Sequence, residues 1–132
     1  MSEQSDKSIS PHQKRFRALR GAITVARDDP GEIVGAASEL LREMLERNAV
    51  DHDDVVSVIF TSTPDLTSAF PAVAARSLGL SDVALLCAAE IPVAGALPRC
   101  IRVLIHLVTD LAPGELRHVY LREARVLRTD LD

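Results

Sequence analysis

Residues 29–48 carry the strongest constraint on how this chain can fold, because they spell out one long amphipathic helix with its start marked. Asp29 is placed to cap, Pro30 suits the first helical position, and Glu32 follows three residues after the cap. Ile33, Ala36, Ala37, Leu40, Leu41, Met44 and Leu45 then fall on one face, and the helix is expected to end near Asn48. Glu39–Arg42 and Glu43–Arg47 are spaced to pair on the solvated side. A stripe of this length must be buried, and most other apolar segments are strand-like. Phe16–Val25 has β-compatible alternation, and Val55–Phe60 is β-branched and continuous, which predicts a central strand. Val83–Cys87, Ile101–Val108, Arg117–Leu121 and Arg125–Arg128 complete the strand candidates, while Phe70-Pro71 opens a short helical turn that stops at Gly79. One long helix with about five strands predicts an α+β fold, a sheet with its helices on one face. The sheet face or edge left over would be covered by association of several copies.

At 132 residues the chain fits one domain, read as a polar tail over 1–15 and a folded domain over 16–132. Lys plus Arg number 15 against 19 Asp plus Glu, and aromatics are 3% of residues, so phosphate neutralisation and base stacking are undersupplied and nucleic acid is not an expected partner. Lys7 and Lys14 are the only lysines. The arginines that make up the rest offer planar forks suited to carboxylates and phosphates. No apolar run approaches the roughly 18 residues a membrane span needs, the start has no apolar signal region, and Cys87 and Cys100 form neither a disulfide framework nor a C-x-x-C pair. A reduced cytoplasmic compartment is expected.

The glycines fit neither G-x-G-x-x-G nor a P-loop, and the four histidines lack metal-ligand spacing, so neither nucleotide cradle nor metal site is expected. Cys87 with His106 or His118 as base stays open as a nucleophilic pair, beside the simpler reading of a packed thiol. The arginines ask for more explanation. Arg102 interrupts an apolar strand and shares a face with Leu104 and His106, Arg20 lies in a strand that should be partly buried, and Arg76 sits on the turn after Phe70-Pro71. Glu90 follows Cys87-Ala-Ala just beyond a strand, and Tyr120 is the single tyrosine. Each has an ordinary surface or edge role available. Together they describe a pocket with excess positive charge, one carboxylate and one phenol, which suits an anion whose reaction depends on shape and electrostatics.

The chain resembles the monofunctional AroH-type chorismate mutases from about Arg17 to Leu131. The segments that carry the resemblance are Arg17-Ala-Leu-Arg20-Gly-Ala-Ile-Thr-Val25-Ala-Arg-Asp28, Ser62-Thr-Pro-Asp-Leu66, Phe70-Pro-Ala72, Arg76, Cys87-Ala-Ala-Glu90, Cys100-Ile-Arg102-Val, Arg117-His-Val-Tyr120-Leu and Arg125-Val-Leu-Arg128-Thr-Asp-Leu131. The resemblance implies a mixed sheet with a long helix, assembled as a homotrimer around a pseudo-α/β-barrel centre with active sites between subunits. It implies the Claisen rearrangement of chorismate to prephenate without metal or organic cofactor. By the same resemblance Arg102 faces the ether oxygen and a carboxylate, Arg20 and Tyr120 hold carboxylates, and Glu90 accepts from the ring hydroxyl with Cys87 beside it. Phe70, Ala72 and Leu127 shape the apolar walls, and Arg76 lines the mouth from a neighbouring subunit. Val73 stands where a lysine is frequent and Leu86 where a small polar residue is, which changes the substrate rim. Two other readings are a non-catalytic trimer that senses an aromatic-pathway dianion, against which Glu90 argues, and an enamine-deaminating trimer, whose pattern lacks the Cys87-x-x-Glu90 and Cys100-Ile-Arg102 combination.

Overall fold

In a computed structural model of the chain, the described residues run from 13 to 130. Residues 1–12 of the expected tail, and Leu131 and Asp132, lie outside them. The chain runs through β1 (Arg15–Thr24), α1 (Pro30–Arg47), β2 (Val55–Ser62), α2 (Val73–Ser77), β3 (Ala84–Ala89), β4 (Cys100–Thr109) and β5 (Val119–Tyr120). Single 3-10 turns precede β2 and β5, and a 3-10 helix spans Arg122–Asp130. The five strands form one mixed sheet in the order β3-β2-β4-β1-β5. β4 is antiparallel to both β1 and β2, whereas β3 lies parallel to β2 and β5 parallel to β1.

The expected helix forms with its expected ends. Asp29 Oδ2 accepts from Glu32 N–H at 3.0 Å, and Asn48 is the C-cap. Its apolar stripe is wholly buried, meeting Leu19 and Ile23 of β1, Val58 and Phe60 of β2, and Ile101, Val103, Ile105 and Leu107 of β4. Burying each such Leu, Ile or Phe contributes roughly 1.5–3 kcal/mol. Because strand side chains alternate, the intervening residues (Ala18, Arg20 and Ala22; Ser57, Ile59 and Thr61; Arg102, Leu104 and His106) all turn to the opposite face, which α1 leaves open and the 3-10 helix covers only at its Ala22 end. Arg47 pairs with Glu43 at 2.7 Å as expected, but Glu39 pairs with Arg122 at 2.9 Å, because the chain entering the 3-10 helix brings that guanidinium to the middle of α1. Among the described residues no helix is long and apolar enough to cross a membrane.

Three strand expectations are corrected. Val55–Phe60 lies in a strand, but β4 is central; β2 has one face toward α1 and one away, so its burial alternates. The strand expected over Arg117–Leu121 shortens to Val119–Tyr120, because the Asn48 amide takes both backbone groups of Arg117: Oδ1 accepts its N–H at 2.8 Å and Nδ2 donates to its carbonyl at 2.9 Å. The strand expected over Arg125–Arg128 is part of the 3-10 helix. Ala124 and Leu127 are three residues apart, the period of a 3-10 turn, and share one edge of it, where Ala124 is buried against Ala22 and Cys100, while Leu121, just before the helix, packs on the main core. Arg122, at φ +56, turns the chain, and its guanidinium donates to the Thr24 carbonyl at 3.0 Å.

Candidate active site

The uncovered sheet face carries a cavity of about 260 Å3 lined by Arg20, Ile59, Thr61, Arg102, Leu104 and Tyr120, together with backbone of β1 and β4. The strand register explains this grouping. Ala22 of β1 is opposite Arg102 on one side and Tyr120 on the other, so a small residue separates a guanidinium from a phenol along one row. Thr61 of β2 lies opposite Arg102 on its other side. Leu104 is flanked by Arg20 and Ile59, which supplies an apolar floor beneath a second guanidinium. The backbone N–H of Arg20 donates to His118 Nδ1 at 2.9 Å, fastening β1 to the segment that leads into Tyr120.

Glu90 leaves the end of β3 with its N–H bonded to the Ser62 carbonyl at 2.9 Å. Its Oε2 lies 3.4 Å from Arg102 Nε and also accepts the Thr61 hydroxyl. The pair is therefore an ion pair beside the cavity rather than a closed, bidentate fork. Cys100, two residues before Arg102, is buried, and burial pushes its thiol up to about 11 against the opposing pull of Arg102. It stays neutral at ordinary pH, so Glu90 rather than the thiol is the anion beside Arg102.

Of the nine residues expected at the site, Arg20, Arg102 and Tyr120 line this cavity, Glu90 adjoins it through Arg102, and Leu127 packs beside Tyr120 on the Ala22–Cys100–Ala124 cluster. The other four, Phe70, Ala72, Arg76 and Cys87, line a different cavity of about 360 Å3 with Val73, Leu85 and Leu86, between α2 and the edge strand β3. Phe70 is 70% exposed there and Leu86 60%. Within one chain the expected site is thus two half-sites. The segment bearing Phe70 is fixed by Asp28, whose carboxylate accepts the backbone N–H and hydroxyl groups of both Thr67 and Ser68 at 2.7–3.1 Å. These bonds hold the Asp28 carboxyl below its usual range, the Ser68 and Thr67 hydroxyls contributing most.

Sequence reasoning missed Thr61 and the clamp at Asp28. Thr61 shares strand parity with Ile59 on the face that Arg102 occupies, a signal obscured because threonine in a β-branched run also reads as strand propensity. The Cys87–His106 and Cys87–His118 pairings find no support in the contacts: His106 stacks on Phe16 and meets the Ser57 hydroxyl, and His118 accepts from Arg20. Among the described residues no group of three His, Cys, Asp or Glu is arranged to hold a metal ion.

A mixed sheet backed by one helix, with two guanidiniums and a phenol over its open face, defines a small α+β protein suited to holding a compact anion. Sequence then places it more narrowly: residues 16–131 match the model of chorismate mutase type I, and the chain belongs to that family. It is 55% identical over 117 residues to the chorismate mutase AroH of Thermus thermophilus, covering 88% of this chain and 96% of that protein. It is 43% identical over 117 residues to the chorismate mutase AroH of Bacillus subtilis (strain 168), covering 88% and 92% respectively. A solved chorismate mutase from Clostridium thermocellum superposes with a TM-score of 0.82 at 48% identity, over 83% of this chain and 98% of that one.

Proposed function

We propose that the protein is a chorismate mutase, an isomerase that converts chorismate to prephenate on the route to phenylalanine and tyrosine, acting as a cytoplasmic homotrimer of a single domain over 16–132. The observation that carries this reading is the Arg102 guanidinium, set in a cavity with Arg20 and Tyr120 and kept from a closed fork with Glu90. The reaction is unimolecular: the ether C–O bond breaks, a C–C bond forms, and no atom or proton leaves. It calls for neither nucleophile nor metal nor proton carrier. It does need the flexible dianion held in its compact conformer, an orientation term, and a charge opposite the ether oxygen as negative charge grows there.

Arg102 supplies the second. Arg20 and Tyr120 grip carboxylates, and Glu90 accepts from the ring hydroxyl. The separation of Phe70, Ala72, Arg76 and Cys87 from these residues within one chain, with Phe70 and Leu86 exposed, is accounted for if a neighbouring copy brings its own Phe70 half-site against the open sheet face of this one. Three copies closing in this way, around a pseudo-barrel centre, give three equivalent sites and cover the sheet. The test is direct: purified protein is mixed with chorismate, loss of its ultraviolet absorbance is followed, and the product is identified as prephenate, with light scattering reporting a trimer. Binding without conversion would identify a sensor instead.

A further inference from the structure

We infer that Thr61 is a positioning residue that holds the Glu90 carboxylate off Arg102. The inference rests on the roles proposed above for Glu90 and Arg102. Both Thr61 Oγ1 and Arg102 Nε contact the same oxygen, Glu90 Oε2, the hydroxyl by a hydrogen bond and the guanidinium only at 3.4 Å. Carboxylate–guanidinium pairs are frequently closed by two parallel N–H···O bonds. Here that fork would occupy two donors of Arg102 and cancel the charge the cavity presents.

Thr61 is well built to prevent it. It sits in the interior strand β2, directly opposite Arg102 in β4 and beside Ala88 in β3, so its backbone is fixed on both sides. A β-branched side chain in a strand has few χ1 choices, so the hydroxyl is fixed as well. With Oε2 anchored to Thr61 and no closer to Arg102 than 3.4 Å, the fork does not close, and the Arg102 donors remain for a ligand. Thr61 also lines the 260 Å3 cavity, so the anchor is at the wall of the site itself.

The test uses the full chain with chorismate and compares wild type with Thr61→Val and Thr61→Ser, each checked for unchanged assembly and circular dichroism. Valine keeps the shape and removes the hydroxyl; serine keeps the hydroxyl. Thr61→Val is expected to lower kcat about tenfold with KM changed less than about threefold, and Thr61→Ser to stay within about twofold of wild type. In a Glu90→Gln background the same valine substitution is expected to cost less than about twofold, since its target carboxylate is gone. Undiminished turnover by Thr61→Val, equal damage by serine, or a full tenfold loss in the Glu90→Gln background would each overturn the inference while leaving the wild-type activity intact. Failure of the wild type to convert chorismate would remove the functional reading and this inference with it.

Discussion

Arg102 Nε stands 3.4 Å from Glu90 Oε2, close enough for the charges to attract and too far for a well-formed hydrogen bond. A guanidinium held in that way keeps its donors for an arriving anion. Removing one preorganised donor from an oxyanion site typically costs about 100- to 1,000-fold in turnover, so Arg102→Ala is expected to lose at least about a hundredfold in kcat. The side chain is half-exposed within one chain and outside its buried core, so the variant should remain folded by circular dichroism, with light scattering checking that it still assembles. Arg102→Lys should recover little, because an ammonium lacks the planar fork. A folded Arg102→Ala protein with ordinary turnover contradicts the assigned role.

The two half-sites make a separate prediction about assembly. Arg102→Ala disables the sheet-face half, and the double substitution Phe70→Ala/Arg76→Ala disables the other. If each site joins one half from each of two copies, randomly mixed trimers of these two inactive chains contain about a quarter of sites with both halves intact. Unfolding the two variants together and refolding them should therefore restore about a quarter of wild-type activity. Activity no greater than the average of the parents would place the whole site within one chain.

Asp28 controls the segment that presents Phe70, and its ionised form does the holding. Its folded pKa is lowered, with the Ser68 and Thr67 hydroxyls as the main causes, from an ordinary value of 3.8. The stabilisation is therefore present above that value and is lost as pH falls through the lower folded one. Asp28→Asn presents one carbonyl acceptor in place of two carboxylate oxygens and cannot take all four bonds. The variant should melt below wild type at pH 7, and the gap should close as pH falls below about 4. KM for chorismate should rise more than kcat falls, because Phe70 shapes a wall rather than meeting developing charge. A melting gap of equal size at pH 7 and pH 3, followed by differential scanning calorimetry, would refute the electrostatic part of this account.

How much of this is legible in the sequence depends on the range of the interactions involved. The helix ends at Asp29 and Asn48 are local, written in capping chemistry, and both were readable. So was the shared face of Arg102, Leu104 and His106, which needs only strand parity. The 3-10 helix over Arg122–Asp130 was not, because Arg125-Val-Leu-Arg128 reads locally as a short strand, and the three-residue spacing of Ala124 and Leu127 matters only once Ala22 and Cys100 lie beneath them. Spacing alone could not show that Phe70 and Arg76 lie away from Arg20 and Arg102, since that division depends on which strands become neighbours. The family resemblance implied sites between subunits but assigned only Arg76 to a neighbour and left Phe70 undivided from the rest. Neither route singled out Thr61, whose hydroxyl matters only through its register opposite Arg102.

Gly21 shows how tightly the helix is pressed against the strand that carries Arg20. A Cβ built there would lie 2.5 Å from Met44 Sδ, 3.0 Å from Met44 Cε and 3.1 Å from Leu40 Cδ1. Both side chains belong to the buried stripe of α1 and have no solvent to retreat into, so either they leave their rotamers or the helix shifts outward. Overpacking of this kind costs about 1–3 kcal/mol, and the entropy an alanine removes from the unfolded chain returns only about 0.4–1 kcal/mol of it. Gly21→Ala should therefore be destabilising by about 1–2 kcal/mol, read as a lower melting temperature at matched protein concentration. Because Arg20 precedes the glycine on the opposite face, a displaced β1 should also move that guanidinium, raising KM for chorismate. Pairing Gly21→Ala with Met44→Ala, which empties the colliding position, should cost less than the sum of the two single changes. Strict additivity would mean that the collision between these residues is not what limits position 21.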